Sequence, residues 1–441
     1  MEIFLGVVLV YLLYIRTLNY HYVIDDNVKR DGYLYDVPET TPSNAFYRTK
    51  PSRRYRFFMI SMHAVNSLLV SMMWGWKAGL LFAAHPIGVT AAAWVTGNYY
   101  STTTYFMLIG MFFLKFGGWF GAISSALFYW VACYSTITAV GIPLVFLFTN
   151  PLGLTWFLPL IHFFNGRRWK TGIKIRANAP QTAGQKTTLK TFGRVPRILV
   201  FYMSLCFFPT ALGFFREYGN GCYRNWDDGY DRFDLTFWVC SLLLITALIL
   251  GLYINVFATM LFVCAVMPFI QLKIYGQFVA ERYAQIPVIG ACILLSYSHP
   301  HVYTALLTYF VYRSVLYTPA FRSLEDLFKN DIANFPDHSL AYSNLASHYL
   351  DETGDAVNTA YTLLRKAEDI ERRKNCPSYE VSANMALAHI YRRQGNHALA
   401  YTERALELGG DRLRGIIKQT LIAQRDNLMK KRPEEAEVVQ V

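Results

Sequence analysis

Two adjacent aspartates, Asp25 and Asp26, follow the first apolar segment of the chain in the stretch HYVIDDNVKRDGYLYD. A carboxylate at this position would stand at the surface of a membrane. Because neighbouring like charges raise the pKa of one member of the pair, such a pair suits a general base or a ligand for a divalent cation or a polar substrate. The alternative interpretation is a solvated turn or a helix cap. The pair is the first candidate for chemistry.

A second candidate is the segment GQFVAERYAQIP, in which Glu281, Arg282 and Tyr283 stand at the start of a later apolar span. Ionisable side chains at membrane level are costly and often mark functional sites. Arg282 could hold a phosphate through charge-assisted hydrogen bonds. Alternatively, a pair between Glu281 and Arg282 would only anchor the chain at the membrane interface.

Two further segments contain polar residues beside apolar stretches. The segment REYGNGCYRNWDDGYDRFD contains Arg216, Arg224, Asp227 and Asp228. This composition fits contact with sugar or phosphate but is not specific for either. The segment HPIGVTAAAWVTGN opens with His85, and Pro86 follows it directly. A hydrogen-bonded structural histidine at a helix break is the leading alternative to a functional His85.

The elements that must position these residues are strongly apolar. The 441 residues are 54% hydrophobic and only 16% charged, which is typical of a membrane protein. About eleven segments are long enough to be candidate crossings: 2–18, 56–75, 78–97, 100–117, 118–134, 135–150, 197–216, 234–252, 253–272, 284–298 and 301–318. The segment 151–165 is apolar but short and contains two prolines, so it either spans or lies along the interface.

Positive charge is concentrated between positions 167 and 197, where nine arginines and lysines occur without an acidic residue. The positive-inside rule makes this stretch a cytoplasmic loop, rather than a surface for nucleic acid. If 151–165 does not span, the loops 19–55, 217–233 and 273–283 and the C-terminal domain all lie on the outer face. If 151–165 spans, the C-terminal domain lies in the cytoplasm and the basic loop outside.

The seven cysteines are scattered, mostly within apolar segments, and none has metal-ligand spacing. We therefore interpret them as small apolar core residues, and the sequence predicts no metal site apart from a divalent cation at the aspartate pair.

From Leu324 onward the chain has the composition of an aqueous domain, with two segments that follow the tetratricopeptide spacing. The first contains Leu345, Ala346, Tyr349, Gly354, Ala360, Leu364 and Ala367, and the second contains Leu387, Ala388, Tyr391, Gly395 and Ala405. A closing helix is predicted over 412–429. Such a stack presents a concave face to a peptide, and a generic helical hairpin is the alternative.

Four of these segments occur in one order, followed by the repeats: VIDDNV from Val23, MHAVNSLLV from Met62, HPIGVTAAAWVTGN from His85 and AERYAQIPVIGACILL from Ala280. In this order they resemble the transmembrane and tetratricopeptide repeat-containing O-mannosyltransferases and their prokaryotic relatives. The resemblance covers most of the chain, although positions 150–270 contribute little. It implies an all-α polytopic membrane protein of the GT-C fold, with a domain over 1–320, a helical repeat domain over 321–432 and a tail over 433–441.

The resemblance also implies a reaction, in which sugar passes from a polyprenyl-phosphate donor to a protein hydroxyl on the outer or lumenal face. Asp25 or Asp26 would take the proton of the acceptor, with inversion at the anomeric carbon. The phosphate leaves already ionised, so it needs positive charge rather than a second acid. That charge would come from Arg282, with Arg216 and Arg224 next in order. The substrate pocket would be lined by His85, Glu281, Tyr283, Asp227 and Asp228.

The chain departs from the family pattern at several points. Thr90 stands where the family motif has an acidic residue, Asn98 stands where it has arginine, and a lysine-glutamate pair is replaced within CYSTITAV. The few repeats favour a bacterial or phage-encoded relative that modifies a protein such as pilin. The expected location is the bacterial inner membrane with the site facing the periplasm, or alternatively the lumenal face of the endoplasmic reticulum.

Two other classes of function fit parts of the sequence. A multi-pass scaffold or assembly factor would use the repeats to recruit partners and the spans only as an anchor. A transporter of lipid-linked sugar would be expected to carry charges near the middle of its spans and to contain inverted repeats. The sequence shows neither of the transporter features, and one span would be enough for an anchor.

Overall fold

A computed structural model describes residues 2–23, 51–165, 193–214, 233–270, 280–350, 355–410 and 415–438. These ranges form helices and connecting segments without a β-strand, which confirms the predicted all-α class. The α-helices are, in chain order, α1 Leu5–Tyr14, α2 Arg53–Trp74, α3 Trp76–Ala84, α4 Gly88–Ala93, α5 Asn98–Phe116, α6 Gly118–Ser135, α7 Pro143–Thr149, α8 Phe157–Asn165, α9 Val195–Phe207, α10 Leu235–Ile254, α11 Val256–Val266, α12 Pro287–Ser296, α13 Pro300–Tyr317, α14 Leu324–Asn334, α15 Ser339–Leu350, α16 Asp355–Arg373, α17 Tyr379–Tyr391, α18 Gly395–Gly409 and α19 Gly415–Val438.

Contacts divide the chain into two compact units, with a boundary between Asp326 and Leu327 inside α14. The N-terminal unit contains α1 to α13, and the C-terminal unit contains α15 to α19.

Three helical segments among the described residues are long and apolar enough to cross a membrane: Glu2–Asn19, which includes α1, and the helices α2 and α10. About eleven crossings were predicted. Helices α5, α6 and α13 have 18 or 19 residues but are less apolar, and other predicted crossings form shorter helices. The predicted crossing 78–97 is divided between α3 and α4, because Pro86 lacks the N–H that a continuous helix needs.

Helix α10 presents most of its apolar surface to the outside of the protein. Leu235 is 79% exposed, Trp238 is 64% exposed and Tyr253 is 90% exposed. A continuous apolar surface of this kind is unfavourable in water and fits contact with lipid. The exposed face of α10 therefore agrees with membrane association.

Small residues allow the first helices of the N-terminal unit to pack closely. The hydroxyl of Ser67 on α2 donates a 2.9 Å hydrogen bond to the carbonyl of Gly79 on α3. A Cβ atom at Gly79 would lie 1.8 Å from the hydroxyl oxygen of Ser71. Only glycine therefore permits this approach of α3 to α2, which is the kind of contact that small residues provide between membrane helices.

The C-terminal unit is a stack of helices in which α15 packs on α16, α17 on α18, and α19 on α18. The predicted repeat positions Leu345, Ala346, Ala360, Leu364, Ala367, Ala388 and Ala405 are buried. On α16, buried residues recur three or four positions apart, and this spacing forms one apolar face. Tyr391 differs, because it ends α17 and its side chain is 55% exposed. Assignment of the stack to the tetratricopeptide class stays a prediction.

Cysteine usage differs from the prediction at one position. Among the described residues, five cysteines of the N-terminal unit are free: Cys133, Cys206, Cys240, Cys264 and Cys292. All are buried, as expected for core residues, except Cys240, which is half-buried. Cys376 is disulfide-bonded, so its interpretation as a core thiol was wrong. Cys222 lies outside the described residues.

Candidate functional site

The side chain of Arg282 lies among three aromatic rings in the N-terminal unit. Its guanidinium carbon is 5.1 Å from the ring centre of Tyr283, 5.4 Å from that of Phe214 and 5.9 Å from that of Trp94. The Trp94 and Phe214 rings meet edge to face, with centres 4.7 Å apart. A cation over an aromatic face gains about 0.5–2 kcal/mol, and such a contact does not itself use an N–H donor. The rings therefore fix the position of a positive charge.

Glu281 is buried beside this arginine and fixes the backbone that carries it. Its carboxylate accepts a 2.7 Å hydrogen bond from the backbone N–H of Gly213 and a 2.8 Å hydrogen bond from the Tyr317 hydroxyl. These partners lie after α9 and at the end of α13. Glu281 therefore joins three separate segments and determines where the short 3-10 turn Glu281–Ala284 lies.

Tyr283 continues the aromatic group on the other side of the turn. Its ring stacks on Phe269, with centres 4.3 Å apart and planes within 5° of parallel, and its centre is 6.1 Å from that of Tyr100. The structure thus brings the predicted residues Glu281, Arg282 and Tyr283 together with Trp94 from the HPIGVTAAAWVTGN segment.

His85 occupies the break between α3 and α4 and is fully buried. Its Nε2 donates a 3.0 Å hydrogen bond to the Cys206 carbonyl, and its Nδ1 accepts one of 3.2 Å from the Ile87 backbone N–H. The ring also packs edge to face on Phe310. This bonding fits a neutral imidazole with its proton on Nε2, and it gives the Ile87 N–H an acceptor at the break that Pro86 makes.

Arg56 is a structural cation that the sequence analysis did not select. It is fully buried on α2, and its guanidinium donates to the carbonyls of Ala93 and His21, the latter at 2.9 Å. It therefore ties the chain that follows α1 to the end of α4, next to Trp94. An arginine within the predicted span 56–75 was the available signal, since buried charges in membrane segments require partners.

The chain just before Asp25 and Asp26 packs against α2 and the residues that follow α4. Tyr22 is buried in a small cluster with Met59 and Val95, and Tyr55 lies against it. Val23 is also buried, and it is the last described residue before position 51. Six predicted site residues lie outside the described residues: Asp25, Asp26, Arg216, Arg224, Asp227 and Asp228.

Thr90 and Asn98, two of the positions at which the chain departs from the motif that it resembles, lie near this site. Thr90 is buried, and its hydroxyl donates to the Ile87 carbonyl at 2.8 Å. The Asn98 amide donates to the Tyr55 hydroxyl at 3.3 Å. Both side chains therefore make hydrogen bonds close to α4.

Two cations of the predicted basic loop are buried at the start of α9. Arg194 and Arg197 are 6% and 5% exposed, and Arg197 forms an ion pair with Asp234 before α10. These two residues are therefore packed at the start of α9, and the cytoplasmic position of the stretch stays a prediction. The rest of that stretch, 166–192, lies outside the described residues.

Within the described ranges, no group of three His, Cys, Asp or Glu side chains could hold a metal ion. Comparison with known proteins gives no match to the chain among family models, curated proteins or solved structures.

Proposed function

We propose that this chain is a membrane glycosyltransferase that moves a sugar from a polyprenyl-phosphate donor to a hydroxyl group of a protein. The observation that carries the proposal is the position of Arg282, held among Trp94, Phe214 and Tyr283 in an apolar, membrane-associated unit. A positive charge fixed in such surroundings is suited to a phosphate at membrane level, because low polarity strengthens its attraction for an anion.

In the proposed reaction, Arg282 stabilises the phosphate that departs. A bond forms between the acceptor oxygen and the anomeric carbon, and the bond from that carbon to the phosphate oxygen breaks. The acceptor proton passes to Asp25 or Asp26, which follow the buried Val23 by two and three residues in the sequence. Attack from the side opposite the leaving phosphate gives inversion at the sugar.

Glu281 and Arg56 are positioning residues in this scheme. Glu281 fixes the turn that carries Arg282, through Gly213 and Tyr317. Arg56 fixes the chain before the aspartates against the end of α4, through His21 and Ala93. Together with the contact between Arg282 and Trp94, these bonds support the proposal, since they bring two motif segments, those that begin at His85 and Ala280, next to the chain that precedes Val23. The mechanism needs no metal, although the aspartate pair could also bind a divalent cation.

The disulfide at Cys376 supports the proposed compartment. Disulfides form and persist in the periplasm, in the endoplasmic reticulum and outside cells, and they are rare in the cytosol. A disulfide in the C-terminal unit therefore favours an outer or lumenal position for the repeats, beside a protein acceptor. Mapping of disulfide-linked peptides by mass spectrometry, without reduction, tests this assignment.

The activity is tested with chain purified in detergent, synthetic polyprenyl-phosphate sugars and an extract of acceptor proteins. We expect Arg282→Gln to reduce sugar transfer by about 100-fold or more, as loss of one charge-stabilising group does in other enzymes. Arg53→Gln is the matched control, because Arg53 is exposed and, among the residues that the structure describes, donates a hydrogen bond to Asn19. The separate variants Asp25→Asn and Asp26→Asn identify the base.

Equal transfer by wild type and Arg282→Gln would show that the proposed phosphate site is wrong. If wild type consumes none of the donors, while remaining folded, the scaffold interpretation becomes the better one. Transfer lost in one aspartate variant alone assigns the base to that residue.

A further inference from the structure

The C-terminal unit contains a polar cleft of about 390 Å³ between α16, α18 and the turn that precedes α17. Three arginines and two glutamates line it: Arg365, Arg372, Arg404, Glu368 and Glu371. The cleft lies at the second helix of each hairpin. It has no part in the reaction proposed for the N-terminal unit.

Glu368 holds two of these arginines side by side. Its carboxylate accepts a 3.0 Å hydrogen bond from Nη1 of Arg365 and a 2.9 Å hydrogen bond from Nη1 of Arg404. The Tyr401 hydroxyl donates to the same carboxylate at 3.0 Å. Glu368 is only 16% exposed on its side chain. Two guanidinium groups are thus ordered before any ligand arrives, which lowers the entropy cost of binding.

The two arginines keep donors for a ligand. Each uses one terminal nitrogen for Glu368, whereas a guanidinium has five N–H donors. The side chains of Arg365 and Arg404 are 49% and 43% exposed. Arg372, on the rim, is 74% exposed on its side chain and pairs with Asp369. The cleft therefore offers planar donor groups of the kind that bind carboxylates in pairs of hydrogen bonds.

The charge of the lining selects the class of anion. Arg365 and Arg404 share one carboxylate, that of Glu368, so this pair carries one positive charge in excess, which matches a single carboxylate better than a doubly charged phosphate. Glu371 also lies at the cleft, where it accepts a 2.9 Å hydrogen bond from the Ser378 backbone N–H, and it would repel a dianion. Because the arginines are exposed and the lining is polar, the cleft suits a protein surface segment rather than an enclosed small molecule.

We propose that this cleft binds a carboxylate side chain presented by an acidic segment of a protein partner. The site is separate from sugar transfer, so its test uses binding alone. The probe is fluorescein-labelled hexaglutamate, with hexaglutamine as the uncharged control, and the readout is fluorescence anisotropy with the full chain in detergent at low salt.

The test variants are Arg404→Gln and the double variant Arg365→Gln with Arg404→Gln. Arg404→Gln leaves Glu368 paired with Arg365, which limits any effect on folding. We expect the double variant to weaken hexaglutamate binding by at least about tenfold, since each substitution removes charge-assisted hydrogen bonds to the bound carboxylate. Arg373→Gln is the control, because Arg373 is on the same helix, is exposed and lies outside the cleft.

Four results would overturn the proposal. The first two are failure of wild type to bind hexaglutamate and equal binding of hexaglutamine. The third is a loss of binding in Arg373→Gln as large as that in Arg404→Gln, which would indicate a diffuse charge effect. The fourth is displacement of the peptide by inorganic pyrophosphate at lower concentration than by free glutamate, which would identify a phosphate site instead. Thermal unfolding of each variant confirms that the binding comparison is made on folded chain.

Discussion

The hydroxyl of Tyr317 donates a 2.8 Å hydrogen bond to the carboxylate of Glu281, so the end of α13 is joined to the turn that carries Arg282. We expect Tyr317→Phe to lower the free energy of unfolding by about 1–3 kcal/mol, because a buried carboxylate loses one of its donors. Thermal unfolding in detergent measures this change. The control is Tyr312→Phe on the same helix, where the side chain is 58% exposed. An unchanged melting temperature for Tyr317→Phe would show that this bond does not matter for stability.

Arg56 stabilises the region around the site through backbone carbonyls. Arg56→Met should reduce the yield of folded chain strongly, because it removes the donors to Ala93 and His21, and each buried carbonyl left without a donor costs about 1–3 kcal/mol. Arg56→Lys should have an intermediate effect, since an ammonium group cannot reach both carbonyls with the planar geometry of arginine. Yield after size-exclusion chromatography is the measurement. Arg54→Met, at an exposed neighbouring position, should behave as wild type.

Long apolar helices were predictable from the sequence. The predicted spans 56–75, 100–117 and 301–318 correspond to α2, α5 and α13 within three residues at each end. A continuous apolar run gives a strong signal, because it is longer than most chance patterns. The division of 78–97 into two helices was harder to predict, since the His85 side chain at the break is held by the carbonyl of Cys206, which is 121 residues away in the sequence.

The site was predictable only in part, for a related reason. Arg282 could be selected because a charge in an apolar segment is unusual. Its ring partners Trp94 and Phe214 come from distant parts of the chain, and no local pattern links them. Arg56 was not predicted as a site residue, because its partners are backbone carbonyls, which have no characteristic residue type.

Gly88 lies against the buried imidazole of His63, and this contact can be tested by a pair of substitutions. A Cβ atom at Gly88 would lie 2.6 Å from Nε2 of His63. Gly88→Ala should therefore lower the free energy of unfolding by about 1–3 kcal/mol through overpacking. In the double variant with His63→Ala, the free energy of unfolding should fall by less than the sum of the two single-variant losses, because the clash is removed. Strict additivity of the two effects in thermal unfolding would contradict this contact.

The stability of the C-terminal unit should depend on pH through His338. Burial, and then the charge of Lys374, lower the pKa of folded His338 from 6.5 to about 3. Below about pH 6.5 the unfolded chain takes up a proton that the folded chain does not, so the free energy of unfolding falls by up to about 1.4 kcal/mol per pH unit until the folded group also titrates. His338→Gln should remove this contribution to the fall in the free energy of unfolding between pH 7.5 and pH 5. Urea-dependent hydrogen exchange of peptides from α15 and α16 measures the unit separately from the rest of the chain. If the variant loses stability as steeply as wild type over that range, His338 is not the group responsible.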